Sequence, residues 1–254
     1  MRRIFIILLI IIMSMIICIE MTSCAMTGSN VNDDQTGNVL GPDITVKDTG
    51  PVKGGVIKIF STVPDTLNPL LTQNSYVKDF TSLIFEGLVK IDRDQKVIPV
   101  LAKSWEVSDD GLIWTFYLRN NVYWHNGMPF TADDVKFTFD TIQNSSIASI
   151  YKENLKNISV YTAVDRTTFR IFLKKQNSFT ADLLNFPIIS RDYYLGENIT
   201  NLESKNNMRP IGTGPYKYVS KKGSSIILTA NSKWWNSQGS GNGSSTQLPY
   251  ISEI

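Results

Sequence analysis

The chain has 254 residues, with 25 Lys and Arg against 23 Asp and Glu, one histidine and two cysteines. A net charge of +2 without a basic stripe excludes the electrostatic footprint by which proteins hold nucleic-acid phosphates. The scarcity of His and Cys leaves no metal cluster or His-dependent triad to assemble, so a metal site is not expected.

Arg2 and Arg3 precede an apolar run, Ile4 to Ile19, that only Ser14 interrupts. The run is shorter than the ~20 residues that span a bilayer as a helix and fits the apolar region of a secretory signal. Met21-Thr22-Ser23-Cys24 then resembles a bacterial lipobox, in which small residues precede a cysteine that receives diacylglycerol. The resemblance implies a lipoprotein signal peptide over 1–23 and lipidation at Cys24. Cys18 follows the bulky Ile17 and leaves with the signal, so no disulfide pair remains. An uncleaved signal anchor is the alternative. Residues 24–53, rich in Gly, Asn, Asp, Thr and Pro, bury too little to order themselves. They read as a flexible tether with a span of roughly 30 Å. The mature chain is close to neutral, and about 200 residues remain to build one core or two modest lobes.

Beyond the tether, Gly54 to Thr62 (GGVIKIFST) alternates like a strand, and Pro64, Asp65, Asn68 and Pro69 force a turn. Tyr76, Phe80, Leu83 and Ile84 fall on one helical face, which Gly87 would end at C′. LVKID and RDQKVIP read as a strand entering a hairpin. In Leu112 to Arg119, Leu112, Trp114, Phe116 and Leu118 share one side of a half-buried strand. Thr131 and Asp134 form an N-capping pair for a helix whose buried face is Val135, Phe139 and Ile142. Ile158 to Leu173 reads as two strands about a tight turn, FTADLLNF as a short helix, and GPYKYVS with SSIILTAN as a hairpin around Lys221-Lys222-Gly223. Both element types are present in α+β order. Asn236 to Thr246 (NSQGSGNGSST) is low-complexity and reads as a surface loop.

Paired acids at Asp109-Asp110 and Asp133-Asp134 raise the possibility of glycoside hydrolysis. Turn chemistry accounts for the first pair and the helix dipole for the second. His125 sits in YWHNGMPF and reads as a surface or turn residue. GTGPY lacks the following helix of a phosphate loop. The five tryptophans, Trp105, Trp114, Trp124, Trp234 and Trp235, read as core, with some free to wall a ligand cleft.

Taken in order, DTLNPLL, IFEGLVKID, VIPVLAKSWEVSDDGLIWTFYLR, NGMPFTADDV, RPIGTGPYKYVS and LTANSKWW resemble the extracellular solute-binding proteins of family 5. These are the oligopeptide-, dipeptide- and nickel-binding components of ABC importers. The resemblance implies a mixed α/β, type II periplasmic-binding-protein fold with an extra small domain. Lobe I would comprise 54–84 and 191–254, and the extra α+β domain 85–190. Family members are longer, so a second lobe is expected after residue 254, and this chain is expected to be a truncated form with impaired binding. The resemblance further implies ligand contacts from Gln73, Asn74 and Ser75, and a cleft-and-hinge loop of Gly212, Thr213, Gly214 and Tyr216. It implies no enzyme activity, no cofactor, and a monomer outside the membrane that works with a permease and an ATPase. A carbohydrate-active hydrolase, or a surface lipoprotein that binds nothing, are the alternatives.

Overall fold

The structure is a computed structural model and describes residues 53–237 and 248–254. The expected signal peptide, Cys24, the tether and most of the low-complexity loop lie outside the described residues. Among the described residues no helix is long and apolar enough to cross a membrane.

The chain enters with helix α1 (Ser75–Thr81), then a short hairpin of β1 (Val89–Ile91) and β2 (Val97–Pro99). Asp92 closes its turn by accepting from the Asp94 and Lys96 N–H groups, and Gln95 takes the positive φ of 60°. β3 (Ala102–Val107), β4 (Ile113–Leu118), β5 (Ile158–Asp165) and β6 (Thr168–Leu173) form one antiparallel sheet in the order β3-β4-β6-β5. Its register sets Trp105 opposite Phe116, Phe116 opposite Phe169 and Trp114 opposite Ile171, so one face collects the large apolar side chains.

Helix α2 (Ala132–Gln143) covers that face. The Thr131/Asp134 capping box is formed, and Val135, Phe139 and Ile142 are fully buried. The Phe139 ring lies 4.9 Å from Phe169, 5.4 Å from Phe186 and 5.1 Å from Tyr161, the first two edge-on, the arrangement ring quadrupoles prefer. Short helices α3 (Arg191–Tyr194) and α4 (Lys205–Met208) lead to the hairpin β7 (Tyr216–Lys222) and β8 (Ser225–Ala230), turned by Gly223 at φ 59°. β8 pairs in turn with the last residues: Leu228 and Ile254 exchange N–H···O bonds, and Ala230 donates to Ser252. One apolar cluster runs from Leu70 and Ile84 through the sheet to Tyr216 and Leu228.

Four local expectations need correction. Residues 54–62 do not form a strand; a single bridge joins Val56 to Glu253, and backbone hydrogen bonds with the neighbouring segment reach only to Ile57. Ile59, Phe60 and Val63 stay exposed at 56%, 87% and 75%, because residues 250–254, the neighbouring segment, offer backbone partners to 54–57 alone. The helix near residue 76 ends at Thr81, and it buries Val77 and Thr81 while Tyr76 is exposed. Gly87 does not cap it. A Cβ there would meet the Phe186 carbonyl oxygen at 2.8 Å, so the glycine serves a close backbone crossing. FTADLLNF shortens to one 3-10 turn, Asp182–Leu184.

Because Phe139 joins helix, sheet and the 186 segment, Phe139→Ala should cost about 3–5 kcal/mol. The half-exposed Val164→Ala on β5 should cost under ~1 kcal/mol. Urea denaturation midpoints of the two variants test the contrast.

Candidate ligand-binding site

Pro69, with Asp65 and Asn68 before it, bends the chain so that Gln73–Ser75 emerge at the surface. Asp65 organises the bend, accepting from the Thr66 N–H at 2.9 Å, the Thr72 hydroxyl at 2.6 Å and the Gln73 N–H at 3.1 Å. Burial works to raise its pKa, but these three bonds outweigh it and hold the carboxyl below its usual range. Asn68 Oδ1 accepts from Leu70 N–H, and its amide donates to Asn207 Oδ1. Fully buried Asn207 donates onward to the Ile199 and Asn201 carbonyls, tying the bend to a segment more than a hundred residues away. Asn74 caps α1 through the Tyr76 N–H, and Gln73 reaches the Ala148 carbonyl at 2.8 Å. Gln73 and Ser75 are exposed and Asn74 half-buried, so this trio presents a braced polar edge to solvent.

The second expected group is buried. Gly214 and Tyr216 donate their N–H groups to the Ile84 and Leu83 carbonyls at 2.8 and 3.0 Å. A Cβ on Gly212 would fall on the Ile84 carbonyl oxygen, and one on Gly214 would come within 2.7 Å of the Leu83 and Ile84 oxygens. Only glycine permits the two strips of backbone to lie so close. Thr213 donates to Glu86 at 2.8 Å, and Tyr216 to the Ile251 carbonyl at 3.1 Å. Among the described residues no hydrogen bond joins Gln73–Ser75 to the 212–216 loop, so the two groups sit in separate parts of the bonding network.

Glu86 is the residue that local pattern did not single out. Its carboxylate also receives the Trp234 and Trp235 indole N–H groups, at 3.1 and 2.8 Å. Burial pushes its pKa up, opposed by these indoles, Thr213 and the charge of Lys90. Trp235 in turn lies under the Arg119 guanidinium, 4.5 Å from its ring centre, while Arg119 Nε donates to the Val100 carbonyl. A lone acid inside the apolar stretch LIFEGLV was the available signal.

His125 does occupy a turn, but it is not a surface histidine. Its Nδ1 accepts from the Gly212 N–H at 3.2 Å, its Nε2 lies 3.0 Å from the Gly214 carbonyl, and its own N–H donates to Gly212. An acceptor at Nδ1 and a donor at Nε2 require the neutral ring with its proton on Nε2. Burial lowers its pKa to about 4, with the nearby Lys217 charge acting the same way and the Gly214 bond against it.

The acidic pairs are structural. Asp110 accepts from Ser108 and Leu112 within a turn. Asp134 uses its oxygens on Thr131 N–H, Arg191 N–H and Trp124 Nε1, and Asp133 is exposed. Among the described residues no group of three or more His, Cys, Asp or Glu could hold a metal ion.

Residues 96–254 match the family described as bacterial extracellular solute-binding proteins, family 5 Middle. The nickel-binding periplasmic protein of Escherichia coli is 34% identical over 172 residues, 66% of this chain and 32% of that protein. The glutathione-binding protein GsiB of Pectobacterium atrosepticum is 32% identical over 167 residues, again 66% of this chain and 32% of that protein. Among solved structures, the periplasmic binding protein DppA of Helicobacter pylori, in complex with the peptide STSA, matches with a TM-score of 0.63 and 28% identity. That match covers 80% of this chain and 42% of the other. The chain thus spans about a third of the length of the curated relatives it matches.

The His125 clamp has a definite pH signature. Its folded pKa, about 4, lies below the ordinary imidazole value of 6.5, so between these values the unfolded chain binds more protons. Stability should therefore fall as pH drops from 6.5 towards 4, by about 3 kcal/mol at most. Glu86, with its raised pKa, slopes the other way, so the difference between wild type and His125→Gln isolates the histidine. Denaturant midpoints across this range should show a shallower fall for His125→Gln.

Proposed function

The chain belongs to the bacterial extracellular solute-binding proteins of family 5, and on that premise we propose that it is the solute-binding subunit of an ABC importer. It captures peptides or related small solutes outside the cell membrane and presents them to a permease driven by an ATPase. One observation carries the reading: residues 96–254, which include the four-stranded sheet and the 212–216 loop, match the family-5 model, and proteins named for nickel and glutathione and a solved structure holding a peptide are similar to the chain. The work is binding and release, without covalent chemistry, and the acidic pairs are already committed to turns and a helix cap.

In this reading Gln73, Asn74 and Ser75 meet the ligand. Their polar edge is held by Asp65 and Asn68 before any ligand arrives, which lowers the entropy lost on binding. Gly212, Thr213, Gly214 and Tyr216 lie behind the cleft and near its hinge. Their groups are engaged internally, so they hold the cleft wall in position. We divide the chain into lobe I, 54–84 with 191–254, and an extra domain, 85–190.

The chain spans about a third of its curated relatives' length, and in this reading it supplies one wall of the cleft, whereas tight small-ligand sites depend on near-complete enclosure. The chain by itself should bind a mixed library of di- to pentapeptides more weakly than roughly micromolar. Isothermal calorimetry checks this, and micromolar or tighter binding would show that these residues are a complete binding unit. Where weak binding is seen, Gln73→Ala should reduce it.

The chain is further proposed to be held on the outer face of the membrane by a diacylglycerol thioether at Cys24, worth ~0.8 kcal/mol per buried methylene. Mass spectrometry of the mature N-terminus should find the lipid there and no residue before Cys24. A free Cys24 thiol, or a retained Met1, rules the anchor out.

A further inference from the structure

Beside the 212–214 loop lies an open pocket of about 470 Å³, lined by Tyr123, His125, Asn126, Lys217, Asn231 and Lys233 among others. No carboxylate lines it. The ion pairs among the described residues are Lys136–Asp140, Lys156–Glu153 and Arg191–Asp192, so neither pocket lysine has an acidic partner there. The sequence from Asn231 to Ser252 contains no Asp or Glu at all.

Both lysines stand on fixed supports. Lys217 is on β7, paired with Thr229 of β8. Lys233 sits in a turn that Asn231 holds from both sides: its Oδ1 accepts the Lys233 N–H, its Nδ2 donates to Gly214 and its N–H donates to Pro215. The His125 ring in the same lining is neutral and spends its Nε2 hydrogen on Gly214, so it neither adds charge nor accepts from a cation. Asn126 has its side-chain oxygen taken by the Met128 N–H, which leaves its amide hydrogens for a ligand. The charged side chains of the lining are thus both positive, with the Asn126 amide hydrogens beside them as donors.

We propose that Lys217, Lys233 and the Asn126 amide form a binding site for a small oxyanion of the phosphate class. Two like charges facing one pocket repel, and an oxyanion between them turns that repulsion into two charge-assisted hydrogen bonds. The lowered pKa of Lys217, from burial and then the charge of Lys233, is consistent with positive charge that nothing nearby offsets. The pocket opens to solvent, so screening keeps the affinity modest and salt-dependent. The proposal is independent of which solute the cleft takes.

Phosphate of this kind comes free in solution or on a lipid headgroup, and two arms separate the sources. In the first, inorganic phosphate is titrated into the whole 254-residue chain and followed by phosphorus NMR line broadening. In the second, the chain is floated with phosphatidylglycerol vesicles and with phosphatidylcholine vesicles, and the excess on phosphatidylglycerol is read. Saturable phosphate binding is expected, weakened about tenfold by Lys217→Gln and by Lys233→Gln, the size of one lost bond to a charged group. Lys221→Gln, on the same hairpin but outside this pocket, should leave it unchanged. A lysine-dependent excess on phosphatidylglycerol without a phosphate titration would assign the same site to the lipid phosphodiester. No binding in either arm, or binding that both pocket variants retain in full, would overturn the proposal. Circular dichroism of each variant confirms that lost binding is not lost folding.

Discussion

A carboxylate withdrawn from water must find donors, and Glu86 finds three: the Thr213 hydroxyl and the indole N–H groups of Trp234 and Trp235. Left without them, the charge would cost several kcal/mol of desolvation. With them, three segments far apart in the chain are fixed around one pair of oxygens. The geometry then propagates through backbone. Thr213 can reach Glu86 only because Gly212 and Gly214 lie directly on the Ile84 carbonyl, and Gly214 and Tyr216 bond the same strip. Arg119, stacked on Trp235 and bonded to Val100, carries the arrangement into the four-stranded sheet.

A second buried carboxylate plays the same part on the other side of the loop. Asp134 caps its own helix, accepts from Arg191 and takes the Trp124 indole N–H at 3.3 Å. Burial raises its pKa, against the bonds from Arg191, Thr131 and Trp124. Trp124 is the residue before His125, whose ring grips Gly212 and Gly214. The 212–214 loop is therefore held between two acid-centred networks, one through Glu86 and one through Asp134 and His125. A loop fixed from both sides suits a cleft wall that must keep its shape while ligands come and go. The edge at Gln73–Ser75 is braced by other means, short-range bonds to Asp65 and long ties from Asn68 to Asn207 and from Gln73 to the Ala148 carbonyl.

The elements that depend on local period were legible. The β4 alternation, the Thr131/Asp134 cap with Val135, Phe139 and Ile142 behind it, and the two hairpins of β5–β6 and β7–β8 stand where pattern placed them. In each, the hydrogen-bond partner is near in sequence or the buried face repeats with a fixed period. The ordered motifs likewise identified the family that the comparison over residues 96–254 supports. Where burial hung on a distant neighbour, pattern misled. Residues 54–62 alternate like a strand, but a strand needs a ladder, and among the described residues one bridge, Val56 to Glu253, and a few bonds over 54–57 are all the backbone pairing formed. α1 turned Val77 rather than Tyr76 inward because the core beside it, not the helix, chose the face.

The sequence by itself determined the family, the capped helix, the strand faces and the turns, since these follow from residue type and spacing over a few positions. Only the tertiary structure decided that His125 is a neutral clamp, that the glycines of 212–214 are a contact surface for Ile84, and that Lys217 and Lys233 share a pocket. Glu86 shows the reason most plainly. Its donors lie 127, 148 and 149 residues along the chain. No local period encodes such a separation, and only the folded backbone brings the donors to one carboxylate.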